Sequence, residues 1–275
     1  MKNIFFFDID NTLLDHQTYE IPASALRAIE ALKHAGHTVV VATGRNYPHA
    51  KPYLDLIKPS YAITQNGARI LQGEQELMVI PLDSAALIGL FAWMQQKGHY
   101  VGANDGLTCY LNELAPFMRE PLSSIRMKFQ SDDPFYLYQN VYQGWLFFDE
   151  RLDHTLIDEI RARYPQFDLV RWHPFAVDIL PHGVNKWTGC QWVMARTGFQ
   201  AAQAVAFGDG LNDMEMLQGV AFGVAMENAH PDLKAIAQRV APALHLDGVA
   251  AVLEELASGL RRGLALDDFA DRRSA

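Results

Sequence analysis

Near its start the chain carries Ile4-Phe5-Phe6-Phe7, an unbroken apolar run that stops abruptly at Asp8. A strand buried on both faces has this pattern, because helices cover both sides of a parallel sheet. Ala25, Leu26, Ile29 and Leu32 then recur at helical spacing within Pro22 to Gly36, and Gly36 closes the predicted helix. His37 to Ala42 is a β-branched strand that ends at Thr43-Gly44-Arg45. Tyr61 to Thr64 is a third strand, ending at Gln65-Asn66-Gly67. Strand, helix, strand and turn form a βαβ unit, so the pattern predicts an α/β fold with an open, mostly parallel sheet.

The pattern changes near Asp83. A helix over Ser84 to Lys97 is followed by short alternating aromatic runs, at Tyr100 to Ala103, Trp145 to Phe148 and Ala176 to Leu180, with a helix over Leu152 to Tyr164 between them. This stretch is expected to be an α+β module inserted into the first domain. The α/β pattern resumes at Lys186, with a helix over Trp187 to Thr197, a buried strand Ala204 to Phe207, a helix beginning at Met214 to Gln218, strand material over Gly219 to Val224 and an amphipathic helix over Ala250 to Leu260. Met214, Met216 and Met226 are expected in the core. The last dozen residues, rich in Arg and Asp, are expected to fray.

Composition narrows the classes. The 275 residues are 49% hydrophobic and 20% charged, which suits globular domains and excludes a disordered chain. With 23 Lys and Arg against 32 Asp and Glu, the net charge is −9, and no run of five like charges suggests a nucleic-acid arm or a membrane patch. A net acidic surface repels anions at long range, so a phosphate site here needs its own local positive charge or a metal. Cys109 and Cys190 have no Cys-x-x-Cys partner and fit reduced thiols. The apolar run at the N-terminus is too short for a signal peptide and no stretch approaches a membrane span, so a cytoplasmic protein is expected.

Ligands of open α/β sheets bind beyond the carboxyl ends of the strands, and four segments place polar residues there. Asp8-Ile9-Asp10-Asn11-Thr12 offers two carboxylates, one able to attack phosphorus and one able to protonate a leaving oxygen. Thr43-Gly44-Arg45 offers a hydroxyl, an unobstructed amide and a guanidinium, all donors to phosphate oxygens. Lys186 can act as a point-charge clamp that keeps a nucleophilic carboxylate ionised. Gly208-Asp209-Gly210-Leu211-Asn212-Asp213 is not a Walker loop, and its two carboxylates suit a hard cation such as Mg²⁺. Each segment alone is also ordinary turn or capping chemistry. The ten histidines show no zinc-ligand spacing and read as structural or exposed.

In this order, the four segments resemble the four motifs of the haloacid dehalogenase superfamily, in its Cof-like phosphatase branch, whose cap lies between the second and third motifs. Gln65-Asn66-Gly67-Ala68, Gly183-Val184-Asn185-Lys186, Gly223 to Ala229 and Asp247-Gly248-Val249-Ala250 echo further stretches of that branch. The resemblance implies a Rossmann-like core over residues 1–82 and 183–275, with an α+β cap over 83–182. It implies Asp8 as nucleophile and Asp10 as general acid/base, with Thr43, Gly44, Lys186 and Asn212 as binders of the phosphoryl group. Mg²⁺ would sit on the Asp8 carboxylate, the Asp10 carbonyl and Asp209, supported by Asp213. Ile9 and Asn11 stand where the branch commonly has Leu and Gly, and Glu227 where Gly is common; Asn tolerates unusual backbone angles nearly as Gly does.

The expected function is a Mg²⁺-dependent phosphomonoesterase acting on small metabolites such as sugar phosphates through an aspartyl-phosphate intermediate. A sugar phosphomutase and a non-catalytic metabolite-binding protein on the same fold are the alternatives. Specificity would come from cap side chains, with Asp178, Arg171 and Trp172 as candidates. No nucleic-acid or membrane partner is expected.

Overall fold

The computed structural model describes residues 2–125 and 129–270. The chain enters through β1 (Ile4–Phe7), α1 (Ala23–His34), β2 (Thr38–Ala42), α2 (Tyr47–Ile57) and β3 (Tyr61–Thr64), then makes a hairpin from β4 (Arg69–Gln72) and β5 (Gln75–Val79). After α3 (Ser84–Gln96) come β6 (Tyr100–Asn104), β7 (Cys109–Leu111), α4 (Arg119–Ile125), β8 (Phe129–Gln130), β9 (Gln143–Phe147), α5 (Asp153–Arg163), β10 (Phe167–His173) and β11 (Ala176–Pro181). The last part holds α6 (Lys186–Thr197), β12 (Ala204–Gly208), α7 (Met214–Gly219), β13 (Phe222–Met226), α8 (Pro231–Ile236), β14 (Arg239–Ala241), α9 (Gly248–Arg261) and α10 (Asp267–Ala270).

Two sheets result. The larger has the order β14-β13-β12-β1-β2-β3-β4-β5, parallel from β14 to β3 and antiparallel through the β4–β5 hairpin. The fold is therefore α/β, as expected. Strand alternation assigns Phe5, Phe7, Val39 and Val41 to the face covered by α1 and α9, and Ile4, Phe6, Val40 and Ala42 to the face covered by α6 and α7. With both faces dry, the strands must be apolar throughout, which is why their runs show no polar alternation. Met216 and Met226 are fully buried, and Met214 packs against the same core.

The smaller sheet, order β10-β11-β9-β6-β7-β8, is antiparallel except for its β7–β8 edge. One face packs Val101, Leu146, Val177 and Ile179 with Leu87, Leu90 and Phe91 of α3 and Leu156 and Ile160 of α5. Its opposite face looks towards the carboxyl ends of the larger sheet.

Several expectations change. Residues 264–270 do not fray: Leu266 and Phe269 are buried, and the Phe269 ring lies 6.0 Å from that of Phe222. Residues 271–275 lie outside the described residues. The strand expected over Gly219–Val224 is displaced to β13, because α7 runs through Gly219. Among the described residues, no helix is long and apolar enough to cross a membrane.

Candidate active site

Strand β1 lies between β12 and β2, and the chain leaves it in one direction and returns on the other side. That reversal opens a crevice at the strand ends. Asp8 follows β1 directly, Thr43 follows β2, Gln65 follows β3 and Asp209 follows β12. The loop after β1 turns at Asn11, whose φ of 53° is left-handed, so Asn serves where Gly is common.

Lys186 is 1% exposed, and its Nζ donates to Asp8 Oδ1 at 2.6 Å and to Asp213 Oδ1 at 2.7 Å. It opens α6, where Asn185 and Thr188 form a reciprocal cap: Thr188 N donates to Asn185 Oδ1 at 2.9 Å, and Asn185 N to Thr188 Oγ1 at 3.1 Å. Asp213 Oδ2 accepts from the amides of Asp209 and Gly210, both at 3.0 Å. Asp209 Oδ1 accepts from Thr12 Oγ1 at 3.2 Å. Asp8, Asp209 and Asp213 each place an oxygen within 4.8 Å of the others.

The electrostatics follow from this crowding. Burial pushes the Asp8 carboxyl up to about 7, despite the Lys186 ammonium, with Asp213 and Asp10 adding to the rise. Asp209 is raised well above its ordinary value by burial and by its carboxylate neighbours Asp8 and Asp213. Burial alone would discharge Lys186, but Asp213 and Asp8 outweigh it and hold the ammonium charged. Two buried carboxylates and the half-buried Asp209 crowd around one ammonium, so a cation would relieve the cost of ionising them together, and an all-oxygen donor set of this kind fits a hard divalent cation.

Asp10 points to other partners. Arg45 donates to it through Nε (2.8 Å) and an η nitrogen (2.5 Å), and His16 Nε2 through a 2.7 Å bond. Burial would raise the Asp10 carboxyl, but these hydrogen bonds prevail and hold it well below the usual range. Arg45 is thus engaged by Asp10, and Thr43 Oγ1 accepts from the Arg45 amide at 3.1 Å.

A cavity of about 260 Å³ opens over these groups. Asp8, Asp10, Gly44, Asp209 and Asn212 line it from the larger sheet, and Gln143, Trp145, Trp172 and Asp178 from the smaller one. Thr43 is fully buried and is not among its lining residues. Asn66 joins the two sides: its Nδ2 donates to Asp178 Oδ2 at 2.9 Å, and its Oδ1 accepts from Asn212 Nδ2 at 2.9 Å. Gly67 has φ +104°, and a Cβ there would lie 2.2 Å from the Asn185 carbonyl oxygen, so only glycine permits that approach.

Of the three candidates on the inserted stretch, Asp178 and Trp172 reach the cavity and Arg171 does not. Arg171 lies on the other face of β10, with Nε donating to Asp153 Oδ2 at 2.7 Å, because strand neighbours alternate sides. His16 also departs from expectation: it lines the cavity rather than serving as structure or surface. Its only signal in the sequence was its place six residues after Asp10, on the same loop. Gln143 and Trp145 were missed because nothing local marks a strand face that packs over a distant loop.

Comparison with known proteins identifies the family of the chain. Residues 5–253 match the family described as haloacid dehalogenase-like hydrolases. A Bacillus subtilis protein named "Putative phosphatase YkrA" is 35% identical over 258 residues, covering 93% of this chain and 98% of that protein. An HMP-PP phosphatase of Yersinia pseudotuberculosis is 28% identical over 243 residues, covering 85% of this chain and 87% of its own. Among solved structures, the subclass IIB sugar phosphatase BT4131 superposes with a TM-score of 0.82 at 25% identity, over 93% of this chain and 99% of its own. The chain belongs to the haloacid dehalogenase-like hydrolases.

Proposed function

We propose that the protein is a Mg²⁺-dependent phosphomonoesterase that hydrolyses small metabolite phosphates, sugar phosphates foremost, through an aspartyl-phosphate on Asp8. The observation that carries this reading is the buried Asp8–Lys186–Asp213 chain with Asp209 beside it, at the floor of a cavity at the strand ends. The sugar phosphatase and HMP-PP phosphatase among its relatives act, by their names, on small phosphate compounds, in keeping with a 260 Å³ cavity.

Asp8 and Asp209 would hold the metal, which supplies charge neutralisation at the phosphoryl oxygens. Asp213, with both oxygens already engaged, supports them from behind. Asp8 attacks phosphorus and the ester oxygen leaves with a proton from Asp10. Asp10 then takes a proton from the water that cleaves the acyl phosphate, releasing inorganic phosphate and restoring both carboxyl groups. Asp10 can donate only after it has left Arg45 and His16, whose bonds favour the ionised form. Lys186 neutralises the nucleophile and the transferred group, while the Gly44 amide and Asn212, both at the cavity, bind phosphoryl oxygens, with Thr43 fixing the turn behind them. Residues 83–182 act as a cap over residues 1–82 and 183–275, closing to exclude bulk water. Two buried thiols, neither in a disulfide, suit a reducing cytoplasm.

The test is phosphate release from a panel of metabolite phosphates and an aryl phosphate, with Mg²⁺ and with chelator. Metal-dependent release that Asp8→Asn abolishes is expected. Isomerised sugar phosphate without free phosphate would replace this reading with a mutase, and no turnover by folded, metal-loaded protein would replace it with a binding protein.

A further inference from the structure

Residues 15–20 form a tight loop beside the cavity. Asp15 N donates to the Glu20 carbonyl at 3.1 Å, and Tyr19 N to the Asp15 carbonyl at 2.7 Å. Tyr19 has φ 58°, a left-handed angle that is costly for a bulky residue and persists only where the surroundings enforce it. The loop brings His16 to Asp10, with the His16 ring 5.9 Å from that of Tyr19. The imidazole is 20% exposed and lines the cavity.

Asp10 is gripped at both oxygens. Arg45 Nε donates to Oδ2 at 2.8 Å and Arg45 Nη2 to Oδ1 at 2.5 Å, while His16 Nε2 donates to the same Oδ1 at 2.7 Å. Arg45 has anchors of its own: Nη1 donates to the His49 carbonyl at 3.3 Å, and the guanidinium lies 5.0 Å from the centre of the Tyr53 ring. It is 6% exposed and forms the fixed half of the grip. His16 is the half that the 15–20 loop contributes. Three N–H donors converging on one carboxylate hold it in a single orientation. Donation to an ester oxygen requires Asp10 to give up that orientation. Bonds made in the ground state and lost on the way to the transition state slow the step they precede.

Resting on the phosphatase reading above, we propose that His16 is a positioning residue that holds Asp10 back from the reacting ester oxygen, so that its loss favours esters that need an acid over esters that do not. The measured quantity is kcat/KM, which covers the steps up to departure of the leaving group and not the later hydrolysis of the aspartyl-phosphate. It is compared, with Mg²⁺, for p-nitrophenyl phosphate, whose phenolate leaves unaided, and for the best-used alkyl phosphate of the panel above, whose alkoxide needs a proton. His16→Phe keeps a ring beside Tyr19 and removes the donor. Its alkyl-to-aryl ratio of kcat/KM should exceed that of the parent by at least about threefold, within the worth of a hydrogen bond to a charged group. His16→Gln, which restores an N–H donor, should bring the ratio back towards the parent value. Should the Phe variant fail to fold, His16→Ala is read in the same way. A merely structural His16 would lower both esters together; an unchanged or smaller ratio overturns the proposal and leaves the phosphatase reading standing. A parent protein that hydrolyses no alkyl phosphate removes that reading and this inference with it.

Discussion

Asn66 and Asp178, 112 residues apart in sequence, meet where the two sheets face each other: Asn66 Nδ2 donates to Asp178 Oδ2 at 2.9 Å. Asn66 has left-handed backbone angles (φ 54°, ψ 33°), which Asn accepts more readily than most residues. Its other amide atom takes the bond from Asn212, so a single side chain links the loop after β3, the loop after β12 and the inserted sheet.

Asn66→Ala should therefore strip a donor from buried Asp178 and an acceptor from Asn212. The expected loss is about 1–3 kcal/mol of stability, read by urea unfolding. A loss under about 0.5 kcal/mol, the level of an ordinary surface change, would show that the link is not a structural one.

Lys186→Met should be more damaging, because it leaves Asp8 and Asp213 buried without their cation. Breaking a buried pair costs about 3–5 kcal/mol, to be measured by urea unfolding in chelator. Adding Asp213→Asn to that variant should recover part of the loss; no recovery would mean that packing, not charge, is what Lys186 supplies.

Removal of Asp209 bears on the metal. Burial, Asp8 and Asp213 all disfavour its charged form, so Asp209→Asn in chelator should be at least as stable as the parent. The parent should gain thermal stability with Mg²⁺, about 2.7 kcal/mol at a hundred times the dissociation constant, and the variant should gain much less. Equal Mg²⁺ responses in a thermal melt would exclude Asp209 as a ligand.

Asp178 gives a pH dependence with a defined sign. Burial raises it from 3.8 to about 7, against the hydrogen bonds from Gln143 and Asn66. The folded state then binds the proton more tightly, so this group's contribution is complete below about pH 4 and is lost as pH rises towards 7. The stability difference between Asp178→Asn and the parent should shift in the variant's favour between pH 5 and pH 8. Parallel stability curves across that range would contradict the assignment.

The legible part of the fold was the part with local physics. Ile4–Phe7 and Ala204–Phe207 could be read as buried strands because both faces of each are covered, and the polar residues just past them could be read as strand-end groups. Helix α2 was not legible, since Pro48 and Pro52 argue against a helix; Pro48 sits in the first turn, where a missing N–H costs nothing, but Pro52 lies inside. The β4–β5 hairpin was not read either: it has an apolar run at Leu77 to Ile80, but the strand begins with exposed edge residues, Gln75 and Glu76, and lacks the alternation of a half-buried strand. In the site, the pairing of Arg45 with Asp10 and the arrival of Gln143 and Trp145 depend on tertiary packing, which no window of sequence encodes.

The alternation along β9 and β11 also separates two kinds of evolutionary freedom. Positions 143, 145 and 178 line the cavity, whereas Leu146, Val177 and Ile179 pack in the interior with α3 and α5. Changes at Gln143 can thus explore new ligand preferences away from the α3 and α5 interior, whereas Trp145 also anchors a second buried cluster with Leu111, Met118 and Phe147. Because Lys186 follows the inserted stretch and is anchored by its own capped helix, such exploration leaves the charge balance around Asp8 in place.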